Sequence, residues 1–338
     1  PDHHGEAVSF KICLIGCGYI ARASHAPAFV RYAAHRAGTE LAACCDVDAG
    51  RAAAFRADFG FARDFTDHAR MLDEVRPDVV CLAAPPSLAV TIGCDVLRRG
   101  IPLLIEKPPG TSVEEVDRLA EAADAGGVPA RVAFNRRHSP LVRELAVQLS
   151  ADGGPTAIRF IRFEMLRVDR RDPDFSLTAI HGIDLVCRIA GCDYGEISIR
   201  YLDLPRLGQG VANFHLSATM ASGALASLEF LPVSGIALER VSVVLEGIAY
   251  CLGMPTDVDG GGYLRRFARG ALEWQKTGPE IAGSIDADVL HGFAEEDTGF
   301  FDALRDGPCP APDLRTARQP VAVAQCIRER RSRFVGGP

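Results

Sequence analysis

The sequence predicts an α/β protein: a doubly wound parallel sheet in the first half, then a second α/β domain built on a large, open, mostly antiparallel sheet. Three observations predict it. Short apolar runs without alternation, such as 10–15 (FKICLI) and 78–83 (DVVCLA), have the look of strands buried on both faces. Helix-length segments with start and stop signals separate them. Beyond Pro155 the strands lengthen, alternate in polarity and follow one another directly, as in an antiparallel or mixed sheet.

Taken in order, strand 10–15 runs into Gly16-Cys17-Gly18 and a helix over 19–30. A second strand covers 40–46. Asp48 caps a helix through 59, and Gly60 ends it. Strand 78–83 is followed by a helix over 88–99, closed by Gly100, and by strand 102–106 (PLLIE). Ser112-x-x-Glu115 reads as a capping box opening a helix to 125, stopped by Gly126-Gly127 and followed by strand 128–134. In the second half, strands are expected at 157–168, 196–204, 211–219, 224–230 and 240–246. A helix over 177–190 interrupts them, and helices near 288–305 and 313–331 close the chain. These elements divide the chain into a disordered tail (1–9), a first domain (10–135) and a second domain (136–338).

Composition bounds the function. The 338 residues are 48% hydrophobic and 24% charged, ample for real cores. Lys+Arg is 37 against 44 Asp+Glu, a net charge of −7, so no basic surplus exists for nucleic acid. No apolar run is long enough to span a membrane, and the polar start 1–9 has no leader-like apolar segment. Eleven scattered cysteines without a C-x-x-C fit buried reduced thiols in a cytoplasm, and no ligand cluster calls for a metal. Lysine is scarce: Lys11, Lys107 and Lys276 are the only three.

Gly16-x-Gly18-x-x-Ala21 lies between a buried strand and a helix, the context that dinucleotide binding requires. Gly16 permits the tight turn, Gly18 lets backbone approach a pyrophosphate, and Ala21 lets the helix pack close. Tyr19 and Ile20 open the helix whose free N–H groups face the phosphates. Asp46, ending the second strand, suits ribose hydroxyls and repels a 2′-phosphate, which favours NAD over NADP. Arg51, one turn on, could soften that preference by contacting a phosphate. Glu106-Lys107-Pro108 ends a strand where open parallel sheets bind ligands, and a lysine there can stabilise a developing alkoxide. His181, flanked by apolar residues at helical spacing, is either a core histidine or the proton acceptor for a hydroxyl being oxidised. Arginines 159, 162, 167, 170 and 171 line one strand and its exit. Most read as a solvated face paired with Glu164, Asp169 and Asp172; Arg167 is the single one assigned to an anionic substrate group.

Six segments in order, G-C-G-Y-I-A, C-D-V-D, A-P-P-S, E-K-P, F-N-R-R and H-G-I-D, resemble the motifs of the Gfo/Idh/MocA oxidoreductases. The resemblance runs over most of the chain, and FFDALRDG near its end is similar to the family's closing helix. It implies a Rossmann domain followed by an α/β domain whose open sheet covers the active site and often mediates oligomers, here a homodimer or homotetramer. It implies hydride transfer between nicotinamide and a sugar-, cyclitol- or nucleotide-sugar-like substrate. By position Lys107 and His181 resemble the family's catalytic Lys and His. Gly16, Gly18, Tyr19, Ile20, Asp46, Ala84, Pro85, Glu106 and Lys107 fall on its cofactor segments. Asn135, Arg136, Arg167, Thr178 and Asp184 fall on the substrate side. Three positions depart from the pattern: Leu177 where Asp commonly stands four residues before the His, Ala89 in place of a His, and 170–174 (RRDPD) in place of a Gly-rich stretch. The alternatives are a redox-neutral NAD-dependent glycosidase or epimerase, and a non-catalytic ligand sensor on the same fold.

Overall fold

A computed structural model describes residues 9–256, 260–307 and 314–337. The expected disordered tail therefore lies, except for Ser9, outside the described residues. Two compact units emerge: the chain up to Ala133 together with Phe293–Ala317, and Phe134–Gly292 together with the chain from Arg318. The first therefore takes a segment from late in the sequence, which a single boundary near 135 does not anticipate.

The first unit alternates β1 (Phe10–Ile15), α1 (Ala26–His35), β2 (Thr39–Cys45), α2 (Ala49–Phe59), β3 (Arg63–Phe65), α3 (His68–Val75), β4 (Val79–Leu82), α4 (Pro86–Arg98), β5 (Leu103–Glu106), α5 (Val113–Gly126) and β6 (Ala130–Ala133). All six strands pair in parallel in the order β3-β2-β1-β4-β5-β6, the doubly wound arrangement. β4 and β5 are buried at every residue, which is why they read as unbroken apolar runs. Asp48 caps α2 through the Arg51 N–H and Gly60 closes it at φ +74°, as expected. The capping box at Ser112 is only half built. The Ser112 hydroxyl accepts from the Glu115 N–H, but the Glu115 carboxylate turns to the Thr111 N–H (2.6 Å) and hydroxyl instead. The first helix also differs: residues 21–25 form a π-helical turn ahead of α1, just before Pro27, which has no N–H to return to the preceding turn.

The second unit contains α6 (Pro140–Ala151), β7 (Phe160–Val168), α7 (Ser176–Ala190), β8 (Tyr194–Asp203), β9 (Ala212–Met220), β10 (Leu225–Ser234), β11 (Leu238–Val244), β12 (Ile248–Gly253), β13 (Tyr263–Ala268), β14 (Ala271–Thr277) and the short α8 (Gly278–Ala282) and α9 (Ala287–Leu290). The chain then returns to the first unit as α10 (Phe293–Arg305) and ends in the second with α11 (Arg318–Arg328) and β15 (Arg333–Val335). Its nine-stranded sheet runs β14-β13-β12-β11-β7-β10-β9-β8-β15, antiparallel except between β7 and β10. Ile161, Phe163 and Met165 alternate inward on β7, beneath α7. Gly182 makes that packing possible: a Cβ there would lie 2.2 Å from the Phe163 ring. Phe163→Ala would cost about 3–5 kcal/mol as a large-to-small core change. Arg162, Glu164 and Glu229 occupy the opposite, open face. Among the described residues no helix is long and apolar enough to cross a membrane.

Candidate functional site

In the first unit the strand order reverses between β1 and β4, the switch point where ligands of open α/β sheets bind. Gly16 ends β1 there at φ +95°, and a Cβ on it would sit 2.4 Å from the Ala83 carbonyl oxygen, so no other residue fits. At Gly18 a Cβ would meet nothing within 4 Å: the backbone lies open at the start of the helical turns that begin with Tyr19 and Ile20. Asp46, just past β2, latches this turn. Its Oδ2 accepts from the Cys17 N–H (3.0 Å) and its Oδ1 from the Asp48 N–H (3.0 Å), while Arg51 stands 3.4 Å away. Open amides at a helix start are the donors that a pyrophosphate needs, and the buried carboxylate beside them is an acceptor for the hydroxyls of an adenosine ribose. Ala84 and Pro85 follow β4 on the other side of the switch point, and Pro85 is the N-cap of α4. Ala89 is buried within α4.

Lys107 follows β5 and is half-buried, with a cis peptide to Pro108. Glu106 is buried, and its carboxylate is engaged inside the protein. One oxygen accepts from the Lys107 backbone N–H (2.9 Å), and the other meets His25 Nε2 (3.0 Å). The far nitrogen of His25 meets both oxygens of Asp297 on α10, at 3.0 and 3.1 Å. Burial alone would lower the His25 pKa, but the Asp297 carboxylate and the hydrogen bonds to Asp297 and Glu106 hold it well above its ordinary value. Cys81 nearby is a neutral thiol, pushed up to about 12 by burial, and adds no charge. Burial, then the neighbouring Asp297, pushes Glu296 well above the usual carboxylate range.

In the second unit His181 is buried on α7, with Thr178 and Asp184 one turn to either side on the same stripe. Asp184 takes the Arg137 guanidinium, with Nε donating at 2.9 Å. Thr178 receives a long contact from Arg170 (3.4 Å). Asn135 donates to the His291 carbonyl (2.9 Å). Arg136 forks onto Glu239 on β11 (2.6 and 2.7 Å), and Arg167 contacts the same carboxylate. Burial opposes the charge of Glu239, but the two guanidiniums overcome it and hold its pKa at about 2. Arg162, Arg170 and Arg171 pair with Glu229, Asp172 and Asp169 on the surface. The ten described cysteines carry free thiols.

Residues 10–134 match the family model for the NAD-binding Rossmann fold of this oxidoreductase family. The matched family is the Gfo/Idh/MocA oxidoreductases, and the match covers the six-stranded sheet of the first unit and not the rest of the chain. It is similar to Inositol 2-dehydrogenase 2 of Saccharopolyspora erythraea, 31% identical over 195 residues, which are 54% of this chain and 55% of that protein. It is similar to D-glucoside 3-dehydrogenase of Escherichia coli, 28% identical over 140 residues, 41% of this chain and 39% of that protein. The match thus spans about half of the first of these relatives and less of the second. Levoglucosan dehydrogenase in complex with NADH shares the fold: its TM-score is 0.81 at 19% identity, over 97% of this chain and 99% of that one.

Sequence reasoning missed His25, Asp297, Glu296 and Glu239. The first sits in a π turn with no sequence signature, and the others are acids on ordinary amphipathic elements.

Proposed function

We propose that the chain is an NAD-dependent oxidoreductase acting on a secondary alcohol or ketone carbon of a sugar, cyclitol or nucleotide sugar. The observation that carries this reading is the open, carboxylate-latched glycine turn at the switch point, with Lys107 at the end of β5 in the same sheet. The dehydrogenase names of the relatives support the substrate class.

When bound, NAD supplies the hydride acceptor or donor. The free amides after Gly18 hold the diphosphate, and Asp46 disfavours a 2′-phosphate, hence NAD rather than NADP. The Lys107 ammonium donates to the substrate hydroxyl oxygen and stabilises negative charge as it develops. His181 accepts the hydroxyl proton in oxidation and returns it in reduction. Asn135, Arg136, Arg167, Thr178 and Asp184 orient the polyol, with Arg136 and Arg167 held in place by Glu239 and Asp184 by Arg137. Leu177 leaves the step to the Lys and His alone.

The open face of the nine-stranded sheet is proposed to pair with a second copy. Leu225, Phe160, Val244, Ala249, Phe267 and Leu272 lie in register across six strands of that face, an apolar row beside the charged Arg162, Glu164 and Glu229. Val244→Glu together with Leu225→Glu is expected to lower the mass measured by light scattering; an unchanged mass would remove this surface. The acidic, thiol-rich chain fits a reducing cytoplasm.

The test is a screen of cyclitols, sugars and nucleotide sugars with NAD(H), followed by absorbance of the reduced nicotinamide. Lys107→Ala and His181→Ala should each cut turnover by ~10²–10⁴, while NADH fluorescence titrations stay near wild type. Near-normal turnover in both variants sinks the roles. Product formation without net NADH replaces the reading with a redox-neutral one. Tighter NADPH than NADH binding overturns the Asp46 argument.

A further inference from the structure

The mechanism uses the Lys107 amine and leaves unexplained what lies beneath it. His25, Glu106 and Asp297 are buried, and His25 and Asp297 have no solvent exposure at all. A buried charge cluster of this kind is costly unless every member is paired. Here each His25 nitrogen faces carboxylate oxygen, Nδ1 toward Asp297 and Nε2 toward Glu106. A neutral imidazole would aim one lone pair at a carboxylate. Between two ionised carboxylates the geometry fits an imidazole that donates from both nitrogens. Phe293 stands edge-on to the ring at 5.3 Å and Phe29 lies at 6.0 Å, closing it off from water. The other groups facing the ring are Glu296 on α10 and Cys81 on β4, with Arg131 on β6 reaching the Glu296 carbonyl. Glu106 is the outlet of the chain: the oxygen not taken by His25 holds the Lys107 N–H.

We propose that Asp297, His25 and Glu106 form a buried positioning relay for Lys107, in which the doubly donating imidazole pins the Glu106 carboxylate against the Lys107 backbone and fixes where its amine points. The proposal rests on the reading of Lys107 as the active-site amine. It makes His25 a positioning residue, since it touches neither substrate nor cofactor in this scheme. A purely structural ion pair tying α10 to the sheet would stabilise the unit without steering the amine.

Three lysines in the chain make the distinction measurable. Reductive methylation with ¹³C-formaldehyde gives three dimethyl-amine signals, and Lys107→Arg identifies one of them. In wild type that signal is expected to move when NADH is added, while those of Lys11 and Lys276 stay. In Glu106→Ala and His25→Ala it should lose that response. Turnover of the polyol found in the screen should fall about tenfold to a hundredfold in kcat, with NADH affinity and KM within about threefold, as for a displaced catalytic group. Glu106→Gln can keep both bonds, because a neutral His25 accepts from its amide while its carbonyl takes the Lys107 N–H. It should recover most of the loss in kcat and in the lysine response.

Ring ¹⁵N shifts of wild-type His25 need no variant, and they should show two protonated nitrogens at pH 8. One bare nitrogen there overturns the relay. So does a Glu106→Ala protein with wild-type kcat and lysine response beside an inactive Lys107→Ala. If Lys107→Ala is itself fully active, the catalytic reading falls, and the ¹³C and ¹⁵N signals alone decide the relay.

Discussion

The two units bury charge in opposite senses. In the first, a single imidazole lies between two carboxylates, with a third acid, Glu296, beside them. In the second, a single carboxylate, Glu239, lies between two guanidiniums. The difference lies in how each cluster can respond when its centre is lost. Carboxylates can take up protons and become neutral, whereas a guanidinium cannot give one up. Arg136 and Arg167 have another outlet, because they keep 15% and 18% of their side-chain surface in solvent.

His25→Ala is the largest expected break. It leaves Asp297 and Glu106 buried without their shared partner and should cost about 3–5 kcal/mol at pH 7, the scale for removing one partner of a buried pair. The cost should shrink in mild acid, because the stranded carboxylates take up protons down to their ordinary values near 4, a wider pH range than that above 6.5 over which His25 strengthens the wild type. Denaturant titrations at pH 5 and pH 8 check this. A loss independent of pH would contradict the charge argument. Glu239→Gln should cost about 3 kcal/mol and, by contrast, hold that cost between the same two pH values.

These clusters mark the limit of what the sequence discloses. The glycine turn, Asp46 and Lys107 are legible because their chemistry is local: a strand end, a tight turn, a cap. The parallel strands are legible because burial on both faces writes an unbroken apolar run. His25 meets Asp297 across 272 residues and Glu106 across 81, and Arg136 meets Glu239 across 103. No periodicity carries such pairings. The short β3 and α3 escape for a different reason. Arg-Asp-Phe is too brief to alternate, although Asp67 caps α3 through the Arg70 N–H as an N-cap should. On β13, Tyr-Leu-Arg-Arg-Phe-Ala has only one fully buried residue, so its alternation is faint.

The comparison sharpens along pH, where the two units should fail at opposite edges. The folded pKa of Glu239, about 2, lies below its ordinary 4.5. Its contribution, about 3 kcal/mol for a shift of this size, is present above 4.5 and drains away as pH falls toward 2. The folded pKa of His25 lies above its ordinary 6.5, so its contribution is complete below 6.5 and is lost as pH rises through the folded value. Glu296 acts in the same direction: with a raised folded pKa, its burial costs more as pH climbs past 4.5. Hydrogen exchange read by mass spectrometry should show peptides of β7 and β11 opening first in acid, and those of β5 and α10 opening first in alkali. Simultaneous opening at both edges would erase the contrast.

The smallest effect is the control on which the comparison depends. Each unit also carries an exposed ion pair: Arg22 with Asp58 in the first, Arg162 with Glu229 in the second. Water screens both, and holding two long side chains together costs entropy, so each is worth less than about 0.5 kcal/mol. Asp58→Asn and Glu229→Gln should therefore leave the melting temperature nearly unchanged, and equally so in the two units. A large loss at either site would mean that charge partnership alone, without desolvation, sets these energies. The asymmetry between the two buried clusters would then need another cause.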